Sequence, residues 1–328
     1  MLLADTLGLP FPGDLQVILL VALALDAILG DPRWLYRALP HPVALLGQLI
    51  DRAELRYNRE EGRRSDRFLR GLLVSLAIIA GAFGLGLLLT GLLASFSGGW
   101  LLEALLASTL IAFRSLFDHG RRVAVGLARS LGDGQAAVAH IVGRDPQGLD
   151  EAGVARAAVE SVAENFSDGV VAPAFWYLLL GLPGLCAYKA INTLDSMIGH
   201  RTARHDAFGK AAARIDDAAN YVPARLAGLL FVLAAVFQKE ADAGRAWRAM
   251  LRDARRHRSP NAGWQEAAVA GALGFALAGP RPYGGQIVED AWMGEGRSEL
   301  TAEDINTALA LYLRAGAVLA VLVLVTVV

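Results

Sequence analysis

Apolar and polar residues are sorted along this chain into long blocks, not alternating positions. Residues 69–95 form the clearest apolar run, a Ser-Gly-Gly turn at 97–99 follows, and a second run covers 100–117. Residues 308–327 make a clean final run. A helix crossing the hydrocarbon core needs about 20 such residues, so each of these reads as a transmembrane helix. Residues 15–29 are apolar but short for a span, and they contain Asp26. On a helix Asp26 stands four residues from both Ala22 and Gly30, so it can face a packed interior, and Gly30 with Pro32 stops the helix. Residues 170–191 are also apolar, but Gly181-Leu182-Pro183-Gly184 divides them into two halves too short to span. Broken helices are tolerated at membrane depth when buried in protein, which predicts a re-entrant or buried helical hairpin. Residues 222–238, with Pro223 near a helix start, and the Ala- and Gly-rich 264–279 leave the crossing count between 222 and 279 open.

The polar blocks complete the outline. Residues 48–67 carry Leu49, Ile50, Ala53 and Leu55 at helical spacing in an arginine-rich surround, which predicts an amphipathic surface helix. Residues 119–168 read as soluble-like and helical, with Asp150 as an N-cap, and 239–258 as a second arginine-rich helix. Residues 280–304 read as loop and helix start, with Thr301 and Asp304 forming a capping box. The turn at 97–99 lacks lysine and arginine while its flanks are rich in them, so the flanks are expected on the cytoplasmic side. A crossing by 222–238 would put the 239–258 block outside, against that rule. The fold expected is all-α: a polytopic membrane helical bundle with a re-entrant or broken helical hairpin and cytoplasmic amphipathic helices. It is expected to form one integral membrane domain over 1–328, with cytoplasmic-face segments near 31–68, 119–168, 199–221 and 239–263.

Composition agrees. The chain is 55% hydrophobic and only 19% charged, where a soluble protein is nearer a quarter charged. A net charge of -1 gives no reason to expect nucleic acid as a partner. The single cysteine, Cys186, lies in an apolar run, which excludes an internal disulfide and makes packing its expected role. The first apolar segment lacks a basic start and a small-residue cleavage site, so it is expected to be retained.

The candidate chemistry flanks the broken run. Glu164, Asp168, Asp195, Asp216 and Asp217 cluster about the two ends of the hairpin, with Glu160 on the helix face of Glu164. A set of carboxylates with few matching cations attracts a divalent ion, and Mg²⁺ is held through a few carboxylates plus phosphate oxygens. Asp168, Asp195, Asp216 and Asp217 are the metal candidates, although any one acid alone would more often cap a helix or face solvent. Asn192, Asp195 and Ser196 share a helix face with Lys189 near the same stripe. Lys189 can hold a phosphate or snorkel to the interface. Asn220 and Arg225 begin another polar face, Asn261 could cap the helix carrying Glu266, and His41 sits between two prolines as a local hydrogen-bonder or a site residue. The nucleotide and hydrolase fingerprints Gly-x-x-x-x-Gly-Lys-Ser/Thr, Gly-x-Gly-x-x-Gly, His-Glu-x-x-His and Gly-x-Ser-x-Gly are absent from the sequence. The residues describe a carboxylate- and amide-rich site at the cytoplasmic face, suited to phosphate esters held through a metal.

Several unusual motifs recur together in order between about Leu25 and Gly285: LDAILGDPRW, LPHPVALLG, AENFSDGVVAPAFW, YKAINTLDSMIGHR, FGKAAARIDDAANYVPARL and RDARRHRSPNAGWQEAAVAGALG. With these the chain resembles the CbiB/CobD family of cobalamin biosynthesis, adenosylcobinamide-phosphate synthase. The resemblance implies an ATP- and Mg²⁺-dependent ligase joining adenosylcobyric acid to (R)-1-aminopropan-2-ol phosphate or ethanolamine phosphate through an amide. In that scheme Glu164, Asp168, Asp195, Asp216 and Asp217 hold metal or deprotonate the ammonium, and Lys189, Arg201 and Arg225 neutralise phosphate charge. Asn165, Asn192 and Asn220 orient the amide or phosphate, with Ser167, Ser196, Asn261 and His41 completing the binding set. The implied partners are the corrinoid substrate, the amino-alcohol phosphate, the lipid bilayer and other late membrane enzymes of the pathway. The implied location is the cytoplasmic membrane, with the site facing the cytoplasm. His200, where an aromatic is expected, and LAGPRPYGG near the C-terminus depart from the family pattern. The competing class is a membrane transporter or sensor for a phosphorylated or amphipathic small molecule, since a broken hairpin with ionisable groups also marks transporters. Repeated halves would favour that class, and none is visible in the sequence.

Overall fold

A computed structural model describes residues 14–31, 36–37, 40–59, 61–142, 146–200, 202–283, 286–288 and 290–327. In chain order the helices are α1 (Leu15–Leu29), α2 (Pro42–Tyr57), α3 (Arg64–Leu93), α4 (Gly99–Ser108), α5 (Phe113–Leu127), α6 (Leu131–Val138) and α7 (Glu151–Phe166). A π-helical turn, Ser167–Val171, leads into α8 (Ala172–Ile198), α9 (Lys210–Ala219), α10 (Tyr221–Ala235), α11 (Ala243–Asp253) and α12 (Ala262–Leu273). Short strands β1 (Leu277–Ala278), β2 (Arg281–Tyr283), β3 (Gln286–Val288) and β4 (Trp292–Met293) precede α13 (Ala302–Val325). β1 pairs with β4 and β2 with β3, both antiparallel. These strands correct the expectation of plain loop after 280: the chain there pairs its backbone groups locally. The amphipathic helix expected over 48–67 is likewise divided: α2 ends at Tyr57 and α3 begins at Arg64.

Among the described residues, four helical stretches are long and apolar enough to cross a bilayer: Arg64–Leu93, Gly99–Leu127, Glu151–Ile198 and Ala302–Val325. The fold is that of an all-α membrane protein. α9 is ten residues long and qualifies only when counted together with α10.

The chain forms two compact units, one of residues 1–112, 172–220 and 326–328, the other of 113–171 and 221–325. In the first unit, α8 is two helices merged across Gly181, whose φ of 67° and ψ of -157° only glycine adopts without strain. A Cβ on Gly184 would lie 2.4 Å from the carbonyl oxygen of Trp176, eight residues earlier. Ala172 and Tyr188 share one buried cluster with Ala219, although a straight helix would separate them by about 24 Å. The chain therefore folds back at Gly181, giving the broken hairpin that the Leu-Pro-Gly sequence predicts. Pro183 sits where a second helix begins and no backbone donor is needed.

Small residues let α3 seat this hairpin. Gly71, Ser75 and Gly86 belong to its buried stripe, with Ile78, Thr90 and Leu93. A Cβ on Gly86 would stand 2.5 Å from Pro183 Cα, so the two backbones touch there with no room for a side chain. Beside it, Ile50, Ile78, Leu194, Ile198 and Phe208 form the apolar core of the unit. α4 contributes Glu103, fully buried, which accepts a 2.7 Å hydrogen bond from the Tyr177 hydroxyl. Asp26 of α1 is buried, as its spacing predicts, and the Gly30 N–H closes that helix on the Asp26 carbonyl.

In the second unit the Ala- and Gly-rich α12 is buried nearly throughout. Gly228 of α10 packs tightly on the Met250 sulfur and the Trp264 backbone, and Gly271 meets α11 at Ala249 and Arg245 more closely than a side chain would allow. Phe166 packs on Phe231 and Tyr312, with ring centroids 4.8 and 5.2 Å away. Asp150 caps α7 by accepting from the Gly153 N–H at 2.7 Å, and Asp304 accepts from the Thr301 N–H at 2.8 Å, both as the cap patterns predict.

Glycines at 84 and 86 in α3 provide a matched test. A Cβ at Gly84 meets nothing within 4 Å, whereas one at Gly86 strikes the Pro183 backbone. Gly86→Ala is expected to destabilise the detergent-solubilised protein by about 1–3 kcal/mol. Gly84→Ala is expected to be neutral or slightly stabilising. Thermal unfolding of the pair checks this, and equal shifts would refute the close-approach account.

Candidate functional site

The hairpin brings the polar residues of α8 against the end of α9. Tyr188, Asn192 and Asp195 recur at four- and three-residue spacing and so share a helix face. The Tyr188 hydroxyl donates to Asn220 Oδ1 at 2.9 Å, and Asn220 Nδ2 donates to Asp216 Oδ2 at 3.0 Å. All three side chains are buried. Asn220 is the C-cap of α9, its N–H on the Asp216 carbonyl, so helix end and network are one construction. Trp176 covers it from the other arm of the hairpin, donating from Nε1 to the Ala219 carbonyl at 3.2 Å.

Asp216 is the chemically exposed member of this network in one sense only. Its second oxygen, Oδ1, is buried with no hydrogen-bond partner. Burial raises the Asp216 carboxyl well above the ordinary carboxylate range, and the nearby Asp195 and Asp217 charges add to the shift while Asn220 and Asn192 oppose it. A buried carboxylate with an unassigned oxygen is stabilised by a proton or by a cation. Asp195 lies over Gly199, where a Cβ would stand 2.0 Å from Asp195 Oδ1, so glycine there leaves the carboxylate its place. Asp217 is half-buried next along α9.

Other predicted residues of this unit make local bonds. Ser196 donates to the Asn192 carbonyl of its own helix at 2.9 Å. His41 caps α2, its Nδ1 accepting from the Val43 N–H at 3.2 Å, and its Nε2 lies 3.6 Å from Asp31. Lys189 is half-buried, its carbonyl accepting from Thr193 at 2.7 Å. Arg201 lies outside the described residues.

A second polar cluster in the same unit escaped the sequence reading. Glu54 of α2 accepts two bonds from Arg204, at 2.8 and 2.7 Å, and one from Asn58 at 2.7 Å. Arg67 donates to Asn58 at 3.0 Å and to the Arg204 carbonyl, and His205 Nε2 is 3.6 Å from Glu54. This cluster fastens the loop before α9 to α2 and α3. Burial works to raise the Glu54 carboxyl, but the bonds from Arg204 and Asn58 outweigh it and hold the group below its ordinary range. Nothing in sequence spacing pairs residues 54 and 204.

The second unit holds the remaining candidates. Ser167 and Asp168 lie on the π turn, a geometry that recurs at functional positions. Ser167 is fully buried, its Oγ without a hydrogen-bond partner, while Asp168 is half-buried. Glu164 and Asn165 are exposed, and Asn165 donates to the Ser161 carbonyl one turn back at 2.8 Å. Glu160 is structural: its Oε1 accepts from the Ala278 N–H at 2.7 Å, holding the positive-φ residue that starts the strand region.

Two predicted residues meet here. Arg225 donates to Asn261 Oδ1 at 3.1 Å and stacks on Tyr221 and Trp264, 3.6 and 4.6 Å from the ring centroids. Asn261 therefore holds Arg225 and makes no side-chain cap on α12, which corrects the capping role expected for it. Ser259 Oγ caps that helix, accepting from the N–H groups of Asn261 and Ala262, both at 3.2 Å. Near the strands, Asp253 accepts from Arg252 at 2.8 and 2.6 Å and from the Gly294 N–H at 3.0 Å, beside an open cleft of about 660 Å³.

Among the described residues no three His, Cys, Asp or Glu side chains gather as a metal centre. The donor set therefore fits only an ion that takes one or two carboxylates and draws its other ligands from water or phosphate, which is the habit of Mg²⁺.

A helical integral membrane protein with buried carboxylates and amides at a broken hairpin is the class that fold and site define. Its relatives narrow it. Residues 19–312 match the family model described as CobD/Cbib protein. A "Cobalamin biosynthesis protein CobD" of Sinorhizobium sp is 50% identical over 312 residues, 94% of this chain and 97% of that one. Proteins of the same name from Rhizobium meliloti (strain 1021) and Rhodobacter capsulatus are each 48% identical, over 93% and 92% of this chain and 95% and 94% of theirs. The chain belongs to the CobD/CbiB family. No solved structure matches it.

Two outcomes test the polar clusters. Asn220→Leu leaves the Tyr188 hydroxyl and the Asp216 carboxylate buried without each other's bridge and is expected to cost about 2–4 kcal/mol, against about 1 for Tyr188→Phe. For Glu54 the depressed carboxyl adds stability above its unfolded pKa, and that stability is lost as the pH falls through the folded value. Glu54→Gln is therefore expected to lower the melting temperature at pH 7, with the difference from wild type closing below about pH 4. Parallel melting curves across pH would exclude the Arg204 pairing as a stabilising interaction.

Proposed function

We propose that this protein is an amide-forming ligase of cobalamin biosynthesis. It joins the free carboxyl of adenosylcobyric acid to the amine of (R)-1-aminopropan-2-ol phosphate or ethanolamine phosphate, yielding adenosylcobinamide phosphate. Membership of the CobD/CbiB family supports the pathway, since its relatives carry the name "Cobalamin biosynthesis protein CobD". The observation that carries the chemistry is the buried Asp216 oxygen without a partner, beside Asp195 at the hairpin.

A carboxylate does not react with an amine until one of its oxygens becomes a leaving group. Phosphorylation by ATP accomplishes this: the carboxylate attacks the terminal phosphorus, ADP leaves, and an acyl phosphate results. The amine then adds to the acyl carbon and inorganic phosphate departs, so each amide formed consumes one ATP and releases one ADP, one phosphate and a proton. Mg²⁺, when bound, neutralises phosphate charge. One or two carboxylates among Asp195, Asp216 and Asp217 of the first unit would hold it, with water and phosphate oxygens as the other ligands. Lys189 and Arg225 neutralise further phosphate oxygens, Arg225 from a position stiffened by Trp264 and Asn261. Asn192 and Asn220 orient the reacting groups, and Glu164, exposed on α7, accepts the proton released from the ammonium. The large amphipathic corrinoid meets the enzyme at the surface of the cytoplasmic membrane, on its inner face.

A strain lacking its own copy of this enzyme, fed cobyric acid, tests the reading. The wild-type chain is expected to restore growth, while Asp195→Asn and Asp216→Asn fail on cobyric acid at normal protein level and all strains grow on cobinamide. The purified protein is expected to form adenosylcobinamide phosphate with one ADP per product, each Asp→Asn change lowering the rate by about 100-fold or more. Rescue by Asp195→Asn equal to wild type would remove Asp195 from the mechanism. Growth that follows uptake of the corrinoid and shows no amide formation would make the protein a transporter.

A further inference from the structure

A separate pocket of about 450 Å³ opens in the first unit between the start of α3 and α9, lined by Arg64, Ser65, Phe68, Ala207, Lys210 and Arg214. Its three ionisable lining residues are all cations. Lys210 and Arg214, four apart, project from one face of α9, both exposed, while the opposite face buries Ala211, Ala212 and Asp216. Arg64 makes a 2.5 Å ion pair with Asp206, but both partners are widely exposed, so the pair is weak and exchangeable. Neither α3 nor α9 has a side-chain hydrogen bond at its N-cap, so two helix N-termini add partial positive charge to the same pocket.

What surrounds the pocket tells which anion it suits. Ser65 of its lining heads a stripe that continues through Leu69, Leu73 and Leu76 at intervals of four, four and three residues. Those three leucines are 53%, 58% and 49% exposed, on the most apolar candidate span of the chain. An anion seated among Arg64, Lys210 and Arg214 thus has a lipid-facing hydrocarbon track leading away from it along α3. A soluble phosphate would use the cations and leave the track unused. A phospholipid uses both: its phosphodiester meets the cations and its acyl chain lies on the leucines.

We propose that this pocket is a binding site for the headgroup of an anionic phospholipid. Basic pockets between membrane helices at the interface have the charge and position for such headgroups. Phe68 adds an apolar wall to the pocket. The site anchors α9, the helix that carries Asp216, and the loop before it to the bilayer surface. It does not depend on the ligase reading, because the pocket contains none of the residues assigned to that chemistry.

Native mass spectrometry of the delipidated full-length protein tests it, with phosphatidylglycerol and phosphatidylcholine of the same acyl chains. Wild type is expected to retain phosphatidylglycerol roughly tenfold better. The combined change Arg64→Gln, Lys210→Gln and Arg214→Gln is expected to abolish the preference. The equally charge-reducing Arg121→Gln, Arg122→Gln and Arg129→Gln, all exposed in the second unit, is expected to keep it. If the triple variant melts, Lys210→Gln alone is expected to lower the preference at an unchanged melting temperature. Equal retention of the two lipids by wild type, or a preference surviving in the pocket variants, overturns the proposal. Displacement of the lipid by millimolar glycerol 3-phosphate also overturns it, by assigning the pocket to a soluble phosphate monoester.

Discussion

The reversal of the chain at Gly181 is the constraint from which the first unit follows. One positive-φ glycine turns an apolar run back on itself, and both arms then reach the end of α9. Trp176 arrives from one arm and Tyr188 from the other, each with a hydrogen bond to the last residues of that helix. Without the reversal these two residues would be about 18 Å apart along a straight helix and could not both reach adjacent residues at the end of α9. The hairpin thus makes possible a buried polar network that no single helix could supply.

Apolar surroundings make that network strict. A buried amide or hydroxyl without a partner costs more than a hydrogen bond returns in water, so Asn220 is used at both ends, accepting from Tyr188 and donating to Asp216. The remaining Asp216 oxygen is what the protein leaves unsatisfied, and an unsatisfied buried carboxylate oxygen is where a cation or a reacting group gains most. Close packing sets the limits of the arrangement. Gly86 admits the Pro183 backbone against α3 and Gly199 leaves the Asp195 carboxylate its position, each because no Cβ is there.

The second unit distributes its charges differently. Its acids are largely engaged by backbone or by arginine: Glu160 with the Ala278 N–H, Asp253 with Arg252 and the Gly294 N–H, Asp304 with Thr301. These bonds secure short strands and helix starts, so a high density of acids there is no measure of chemistry. Arg225 differs, because stacking between two aromatic rings and a bond to Asn261 hold a cation in a defined orientation at part exposure.

The sequence by itself determined the helical membrane class, the break at Gly181, the caps at Asp150 and Thr301, the burial of Asp26 and the family. These rest on local rules: apolar run length, glycine and proline conformations, cap chemistry and motif order all act within a few residues. It also named Asp216 and Asn220, whose four-residue spacing places them one helical turn apart, and the same spacing from Tyr188 to Asn192 could have added Tyr188. Only the tertiary structure decided that Asn220 bridges Tyr188 to Asp216, that Glu54 pairs with Arg204, and that Asn261 serves Arg225 instead of capping its helix. Each of those joins residues that are local to nothing but a folded core, separated by 32, 150 and 36 positions. Helical periodicity says which face a side chain occupies and is silent on which other helix that face will meet.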